Sequence, residues 1–417
     1  MQLTRHAARL MLAACLITGI THQFALAAAT YVNTGPGILW YGVSADGSVA
    51  AGSNSSFYLV YTPSGGVRAA ATRNWSNATT GISWDGRFIA GAVQNSAASN
   101  RWQMARGDRD TETWTPCGDL GRSMSGEGST AYGVSGDGST VFGLAWTTGG
   151  NALACTWRAD SGIQSLGTSV PNRSTRANGS NFDGTIIVGW QDSTSGFRQG
   201  CIWRNGVQQL LFFANGEPAP EALACSADGS VVVGLGNEDN NFHAGRWTAA
   251  SGIVDIEPRQ DWTDWEFMMG SATGVSADGN TIVGYYRFGG TPYDGRGWIW
   301  TAASGVQDLT WLAIEQGATF PTAQVAALPL AISADGRTVV GGSGNGETSL
   351  PTGGFVLHLD YPCFADIDGS GTVDQGDVAL ALLDYGPCPG CSSDLDGSGD
   401  VDFGDVALIL LSTGPCG

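Results

Sequence analysis

Two acidic segments near the C-terminus carry the residues of this chain that are best suited to chemistry. Residues 366–377 and 394–405 each span twelve positions, and the second segment begins 28 residues after the first. Side-chain oxygens occupy positions 1, 3, 5, 9 and 12, Gly occupies position 6, and position 7 offers a backbone carbonyl. Calcium is a hard cation that takes six to eight oxygen ligands, so this donor set suits it better than zinc or copper. We predict two Ca²⁺ sites, with the ligands Asp366, Asp368, Ser370, Thr372, Asp374 and Asp377, and Asp394, Asp396, Ser398, Asp400, Asp402 and Asp405.

The segments that flank these loops predict how they are held. Position 8 is apolar in both loops, Val373 and Val401, which favours a short pairing between the two loops. An apolar run follows each loop, over residues 377–383 and 405–411, and predicts a helix. From Cys363 to Gly417 the chain holds ten Asp and no basic residue. The tail therefore has no side-chain cation to offset its own carboxylates.

A doubled unit of loop and exiting helix, with Asp at position 12, resembles a type I dockerin module, which is built on a pair of EF-hand calcium loops. The resemblance covers residues 361–417. It implies docking onto a cohesin-like module of another extracellular protein, and such modules are often attached to enzymes that degrade plant polysaccharides. Loop positions 10 and 11, often Ser or Thr in dockerins, are Gln375-Gly376 and Phe403-Gly404 here.

The large region before the tail is built from seven copies of one pattern. Each copy reads Ser-x-Asp-Gly, with a second Gly six residues after the Asp; Asn181 replaces the Ser in the fourth copy. Asp-Gly between β-branched runs is a strong hairpin signal, because Gly accepts a positive φ without strain. We predict that these motifs are turns and not ligand sites. Their Asp residues are Asp46, Asp85, Asp137, Asp183, Asp228, Asp278 and Asp335.

Each copy predicts four short strands, the third of which carries an aromatic residue such as Trp203 or Trp247. A unit of roughly 45 residues with four strands is typical of one blade of a β-propeller. One sheet cannot bury both of its faces, so we expect neighbouring blades to stack, with Trp and β-branched residues between them. The last copy lacks a fourth strand, and residues 31–39 could supply it and close the ring.

These copies resemble the HAF-type extracellular repeats of bacterial secreted proteins over roughly residues 40–358. The motifs that carry the resemblance are Gly-Val-Ser-Ala-Asp-Gly at 274–279 and Arg-Trp-Thr-Ala-Ala-Ser-Gly-Ile at 246–253. The resemblance implies a propeller-like fold and no settled activity. We therefore predict an all-β propeller of about seven four-stranded blades over residues 28–360, followed by a small α-helical calcium-binding module over residues 361–417.

The N-terminus predicts export. Arg5 and Arg9 precede an apolar run, and Ala25-Leu26-Ala27 offers a cleavage site, so residues 1–27 are interpreted as a secretory signal peptide. A membrane anchor and a lipoprotein signal ending at Cys15 are the alternatives. The formal net charge is −19 and there is no lysine, which argues against nucleic acid as a partner and against Schiff-base or P-loop chemistry. We expect a secreted or cell-surface protein without a membrane span.

Eight cysteines remain after the predicted cleavage, four in each region, and an exported protein is expected to pair them. Cys117, Cys155, Cys201 and Cys225 would pair within the large region. The tail leaves two pairings open. Either Cys363 joins Cys416 and Cys388 joins Cys391, or each repeat closes on itself, and the short helices favour the first pairing.

One insert outside the repeats could bind a ligand, since residues 257–269 alternate carboxylates and indoles. Its candidate residues are Asp261, Trp262, Asp264, Trp265 and Glu266. Such a surface could stack on sugar rings or serve glycoside hydrolysis, but an amphipathic strand that fills a blade interface would have the same pattern. The sequence favours a non-catalytic binding or scaffold protein that contacts polysaccharide or protein. A carbohydrate-active enzyme bearing a dockerin and a structural surface-layer component are the alternatives.

Overall fold

The computed structural model describes residues 29–73, 79–121, 126–213, 215–236, 243–256, 269–287, 295–345, 351–359, 365–368, 370, 372–388, 391–395, 398–411 and 413–415. Contacts between residues divide the chain into two compact units, with the boundary near residue 361, and each unit is described by itself. The predicted signal peptide, residues 1–27, lies outside the described residues. None of the described helices combines the length and apolar composition needed to cross a membrane.

The larger unit is a β-propeller of seven blades, as the repeats predicted. Blades 1 and 3–6 are each a four-stranded antiparallel meander. Blade 1 contains β2 (Leu39–Val43), β3 (Ala50–Ser53), β4 (Phe57–Thr62) and β5 (Gly66–Thr72). Blade 2 contains β6 (Phe88–Asn95), β7 (Arg101–Asp108) and β8 (Thr113–Pro116), with a bridge from Ile82 to Ile89 in place of a full first strand and a 3-10 turn at Ser96–Ala98.

Blades 3 to 6 follow the same plan. Blade 3 contains β9 (Ser129–Val134), β10 (Val141–Trp146), β11 (Ala152–Arg158) and β12 (Gly162–Ser165). Blade 4 contains β13 (Thr175–Ser180), β14 (Ile186–Asp192), β15 (Arg198–Arg204) and β16 (Val207–Leu210). Blade 5 contains β17 (Glu221–Cys225), β18 (Val231–Leu235), β19 (Ala244–Thr248) and β20 (Gly252–Ile256). Blade 6 contains β21 (Met269–Val275), β22 (Ile282–Arg287), β23 (Arg296–Thr301) and β24 (Gly305–Asp308).

The last blade closes the ring. Helix α1 (Leu309–Glu315) leads into β25 (Val325–Ile332), β26 (Thr338–Gly344) and β27 (Gly353–His358). The fourth strand is β1 (Thr30–Asn33), which comes from the start of the described chain and pairs antiparallel with β27, with Tyr31 opposite Leu357. Both ends of the propeller sequence thus share one sheet, and the ring closure expected from residues 31–39 is confirmed.

The seven Asp-Gly motifs are turns, and they are joined to one another in a circle. In each turn the Asp carboxylate accepts a hydrogen bond from the backbone N–H two residues later, as Ser230 N–H donates to Asp228 Oδ1 at 2.9 Å. The backbone groups of these Asp residues, or of the residues just before them, then form hydrogen bonds from blade to blade. The seven bonds are Ala45 N to Trp84 O (2.9 Å), Trp84 N to Gly136 O (2.8 Å), Asp137 N to Phe182 O (2.9 Å), Phe182 N to Ala227 O (3.1 Å), Ala227 N to Ala277 O (2.9 Å), Ala277 N to Ala334 O (2.9 Å) and Asp335 N to Ala45 O (3.4 Å).

Large apolar side chains fill the spaces between blades. Trp298 of blade 6 is fully buried and packs with Val231 and Val233 of blade 5. Trp40 of blade 1 is fully buried and packs with Val340 of blade 7. Burying a side chain of this size stabilises a fold by about 2–3 kcal/mol. Packing between blades therefore buries the sheet faces that a single blade could not bury alone.

The expected pairing of the propeller cysteines is wrong. Cys117, Cys155, Cys201 and Cys225 are all free thiols. They occupy the apolar clusters between strands, where Cys155 Sγ contacts Met104 Sδ at 3.7 Å. Burial raises the pKa of Cys201 to about 12, so this thiol stays protonated and behaves as a small apolar side chain.

The smaller unit contains two helices and two short pairs of strands. Its elements are β28 (Thr372–Val373), α2 (Gln375–Leu383), β29 (Gly386–Pro387), β30 (Asp400–Val401), α3 (Phe403–Leu411) and β31 (Gly414–Pro415). Both predicted helices are confirmed. The predicted pairing between the two loops is wrong, because Val373 pairs with Gly414 and Val401 pairs with Gly386. Each loop thus bonds to the extended Gly-Pro segment that follows the helix of the other repeat.

One disulfide joins the two halves of the tail. Cys388 and Cys391 are bonded, with their Cα atoms 5.6 Å apart. This bond agrees with the favoured pairing and rules out the alternative in which each repeat closes on itself. Cys363 and Cys416 lie outside the described residues.

Candidate metal centre

The first tail loop brings three predicted ligands together. One carboxylate oxygen of each of Asp366, Asp368 and Asp377 lies within 4.8 Å of the others. These residues stand at loop positions 1, 3 and 12, so the loop has folded back on itself as the predicted site requires. Three carboxylates at this separation repel one another, and neither Lys, Arg nor His occurs in the tail sequence to offset them.

Asp377 closes this loop from the start of α2. It is fully buried, and its Oδ1 accepts hydrogen bonds from the backbone N–H groups of Ile367 (2.6 Å) and Asp368 (3.1 Å). Its Oδ2 accepts a bond from the N–H of Asp374 at 2.8 Å, as part of a capping box with that residue. Helix N-termini favour negative charge, so the helix itself supports a carboxylate at position 12.

The other end of the site is fixed by Ser370. Its backbone N–H donates to Asp366 Oδ1 at 3.0 Å and to Asp368 Oδ1 at 2.9 Å. The backbone hydrogen bond from Ser370 is the main cause that holds the pKa of Asp368 below its usual range, so this carboxylate is ionised at neutral pH. Positions 1, 3 and 5 of the loop are thereby held in one arrangement.

The second loop repeats the contacts of position 12. Asp405 is fully buried, and its two oxygens accept bonds from the N–H groups of Leu395 (2.7 Å) and Asp402 (2.8 Å). Asp394 Oδ2 accepts a bond from Gly399 N–H at 3.0 Å. Its other oxygen, Oδ1, is buried and forms no hydrogen bond with any described residue. A buried carboxylate oxygen without a partner is costly, and a cation at this position would satisfy it.

Other predicted ligands have partners of their own. Asp374 Oδ1 and Asp402 Oδ1 each accept a bond at 2.6 Å from the N–H two residues later, so these side chains cap α2 and α3. The carbonyl groups of Thr372 and Asp400 accept bonds from the hydroxyls of Ser370 (3.1 Å) and Ser398 (2.9 Å). Asp396 lies outside the described residues.

A second group of potential ligands in the tail has a different explanation. Atoms of Asp384, Cys388 and Cys391 also lie within 4.8 Å of one another. The two cysteines form a disulfide and so provide no thiolate for a metal, and Asp384 Oδ2 accepts a bond from Ser393 Oγ at 2.7 Å. These three residues therefore stabilise the fold of the tail and are not a candidate metal site.

The two tail helices expose an apolar surface that the sequence analysis missed. Phe403 is 75% exposed, and its ring lies 5.6 Å from that of Tyr385. Leu383 is 80% exposed and Leu410 is 57% exposed. We call Leu383, Tyr385, Phe403 and Leu410 the tail patch. Phe403 and Leu410 are seven residues apart, which places them on one face of α3. This spacing could have predicted the exposed apolar face from the sequence.

The predicted sugar-binding residues of the insert, Asp261, Trp262, Asp264, Trp265 and Glu266, lie outside the described residues. The Asp-Gly motifs of the propeller form turns, and each of their carboxylates accepts hydrogen bonds within its own turn. For Asp228 the donors are Ser230 N–H and Ser226 Oγ, and these bonds lower the pKa of the carboxyl.

Comparison with known proteins assigns this chain to no family. No protein-family model and no curated protein matches this chain. An oligogalacturonate lyase from Vibrio parahaemolyticus is similar over 79% of this chain and 93% of its own, with 11% identity and a TM-score of 0.49. The β-propeller domain of the Trilobed protease from Pyrococcus furiosus is similar over 78% and 94%, with 13% identity and a TM-score of 0.47. TolB from Acinetobacter baumannii is similar over 64% of this chain and 62% of its own, with 15% identity and a TM-score of 0.40, so the match spans less than two thirds of that protein.

Proposed function

We propose that this chain is an exported, non-catalytic binding protein in which the tail docks onto a partner protein in a calcium-dependent way. The observation that carries the proposal is the convergence of Asp366, Asp368 and Asp377 in a tail without basic residues. The second loop has the same backbone contacts at position 12 and a buried, unpartnered oxygen on Asp394. Two loops built alike are expected to bind two ions.

The chemistry of the donors selects the ion. All proposed ligands are oxygens, from carboxylates, a Ser hydroxyl and a backbone carbonyl in each loop, which suits Ca²⁺. A bound Ca²⁺ would offset the repulsion between the carboxylates and hold each loop against its helix. Because Asp377 and Asp405 are already fixed by backbone N–H groups, the loops are partly preorganised for binding.

The tail patch is the proposed docking surface. Its four side chains are large, apolar and exposed, and the rings of Tyr385 and Phe403 are in contact, which favours an interaction site. The ten Asp residues of the tail and its lack of basic residues favour a partner with an apolar groove and basic side chains at the rim. A cohesin-like module of another extracellular protein would fit this role. The propeller would act as the second binding surface, with polysaccharide or protein as its ligand.

The docking proposal is tested by capture of exported proteins on the immobilised full-length chain. Capture should require Ca²⁺, should be lost with excess chelator, and should be lost in a Phe403→Ser variant. Asp400→Asn is the matched control, since this residue is exposed and offers the loop only its carbonyl. Capture of the same partner in chelator, or by Phe403→Ser, would contradict calcium-dependent docking. A partner without basic residues at the contact would contradict the proposed charge complementarity.

Calcium titration of the full-length chain by calorimetry tests the metal sites separately. Two sites are expected, and both should be absent when Asp366→Ala and Asp394→Ala are combined. A chain that takes up no Ca²⁺ would overturn the proposal, whatever the capture experiment gives.

A further inference from the structure

The first strands of the propeller enclose a cavity of about 540 Å³ on its axis. All seven blades contribute to it, blade 2 through residues 79–82. The volume lies within the range of small-molecule sites, about 300–1,000 Å³. Residues with hydroxyl, amide or guanidinium groups line it from five blades. They include Tyr41, Tyr132, Arg176, Asn178, Thr273 and Tyr285.

The charge of this cavity is opposite to that of the chain. The formal net charge of the protein is −19, yet none of the described residues that line the cavity is acidic. Arg176 is the one charged residue among them. An anion that reaches the cavity therefore meets no carboxylate among the described lining residues.

Arg176 is held in a fixed orientation. Its Nε donates to Asn178 Oδ1 at 2.6 Å, and its Nη2 donates to Glu221 Oε1 at 2.5 Å. Its guanidinium lies over the ring of Tyr132, 4.7 Å from the centroid, and 5.2 Å from the ring centroid of Trp190. The remaining nitrogen, Nη1, forms no hydrogen bond with any described residue. A rigid donor with spare N–H groups is preorganised for an anion.

Glu221 does not cancel this charge. Its side chain is 6% exposed, and its second oxygen accepts a bond from Arg198 Nη1 at 2.8 Å. Two guanidinium groups therefore share one carboxylate, and the cluster of Arg176, Arg198 and Glu221 keeps a net charge of +1. That charge matches a monoanion such as a carboxylate and not the two charges of a phosphate monoester.

The cavity also offers neutral groups to a ligand. The hydroxyls of Tyr132 and Tyr285 form no hydrogen bond with the described residues, so each is able to donate and to accept. Hydroxyl groups that have no partner among the described residues suit a ligand that itself carries several hydroxyl groups.

We propose that this axial cavity binds a small carboxylate-bearing sugar of the uronic acid class. Arg176 Nη1 would bind the carboxylate, and Tyr132 and Tyr285 would bond ring hydroxyls. The proposal deepens the binding role proposed for the propeller. It is independent of the tail, because all the residues that carry it belong to the propeller.

Saturation-transfer NMR on the full-length chain, with D-glucuronate as the probe, tests this assignment. Glucuronate should bind at least tenfold more tightly than D-glucose, which has the same ring without the carboxylate, and more tightly than D-glucose 6-phosphate. Glucose binding as well as glucuronate would overturn the role of Arg176, and preference for the phosphate would overturn the carboxylate class. Binding should be equal with Ca²⁺ and with chelator, so failure here is distinct from failure of the docking proposal.

Variants locate the site. Arg176→Gln should weaken glucuronate binding at least tenfold. Arg68→Gln, which removes an exposed arginine from β5, should leave it unchanged. Since Arg176→Gln alters the partners of a buried carboxylate and could impair folding, Tyr132→Phe combined with Tyr285→Phe provides the second test, with an expected loss of at least threefold. Unchanged binding in a folded Arg176→Gln protein, or in the double Tyr variant, would overturn the proposal.

Discussion

The buried carboxylate of Asp377 accepts a hydrogen bond at 2.6 Å from the backbone N–H of Ile367, ten residues earlier in the chain. Asp405 and Leu395 make the same contact at 2.7 Å in the second repeat. In both loops, position 12 therefore ties the start of the loop to the first turn of the following helix. The two loops are built alike, and the contributions of single loop positions can be tested by matched variants.

The unpartnered oxygen of Asp394 predicts which substitution removes the second metal site. Asp394→Asn takes a charged donor from position 1, so calorimetry should find one Ca²⁺ site in place of two. Asp400→Asn removes the same charge from the same loop, but at position 7 only the backbone carbonyl is a proposed ligand, so two sites should remain. Equal loss in both variants would mean that net charge, and not the geometry of the loop, governs binding.

In six of the seven propeller repeats, the second Gly is predicted to be irreplaceable because a Cβ there would clash with a backbone carbonyl oxygen; in the second repeat, Gly91 faces side-chain atoms instead. A Cβ on Gly189 would lie 1.9 Å from the carbonyl oxygen of Arg176, and backbone cannot move away as a side chain can. Gly189→Ala should lower the free energy of unfolding by about 3 kcal/mol, measured by urea denaturation. At Gly149 the nearest atom is Thr147 Oγ1, at 3.7 Å, so Gly149→Ala should be close to neutral. Similar stability of the two variants would contradict this explanation.

The sequence shows that Gly189 keeps its spacing from the Asp of its repeat, but not why. The constant spacing of six residues from Asp to Gly was enough to predict seven blades. Its cause was not visible, because it lies in a bulge of β13 between Ala177 and Gly179 that turns a neighbouring carbonyl toward Gly189. The circle of backbone bonds through Ala45 and Trp84 was equally hidden, since backbone groups bond regardless of residue type.

In the tail, the sequence predicted the ligands and helices but not their partners. The apolar side chains at position 8, Val373 and Val401, were expected to pair the two loops with each other. Their true partners are Gly414 and Gly386, which carry no side-chain signal. The propeller cysteines were misjudged because an even number of cysteines shows only that pairing is possible, whereas these four thiols are free.

Closure of the ring by β1 predicts a large effect of one aromatic residue. The Tyr31 ring stacks on Phe320 at 4.0 Å between centroids, and its hydroxyl bonds Ser343 Oγ at 2.7 Å. Tyr31→Ala should cost about 2–3 kcal/mol, and Tyr31→Phe about 1 kcal/mol for the hydrogen bond alone. Val32→Thr, on the exposed side of the same strand, is the control and should leave the melting temperature nearly unchanged. If Tyr31→Ala melts like the parent chain, β1 does not close the propeller in solution.

The turn carboxylates predict that the propeller loses stability in acid. Hydrogen bonds from Ser230 N–H and Ser226 Oγ hold the pKa of Asp228 below its ordinary value of 3.8. The unfolded chain therefore takes up the proton first as pH falls below about 4, so this contribution to stability is full above that pH and is lost as pH falls through the folded pKa. Asp228→Asn should melt a few degrees below the parent at pH 7, and the difference should shrink as the pH falls below about 4. Melting followed by circular dichroism in chelator, which removes any metal contribution from the tail, checks this. A difference that stays constant from pH 7 to pH 2.5 would show that the charge of Asp228 does not stabilise its turn.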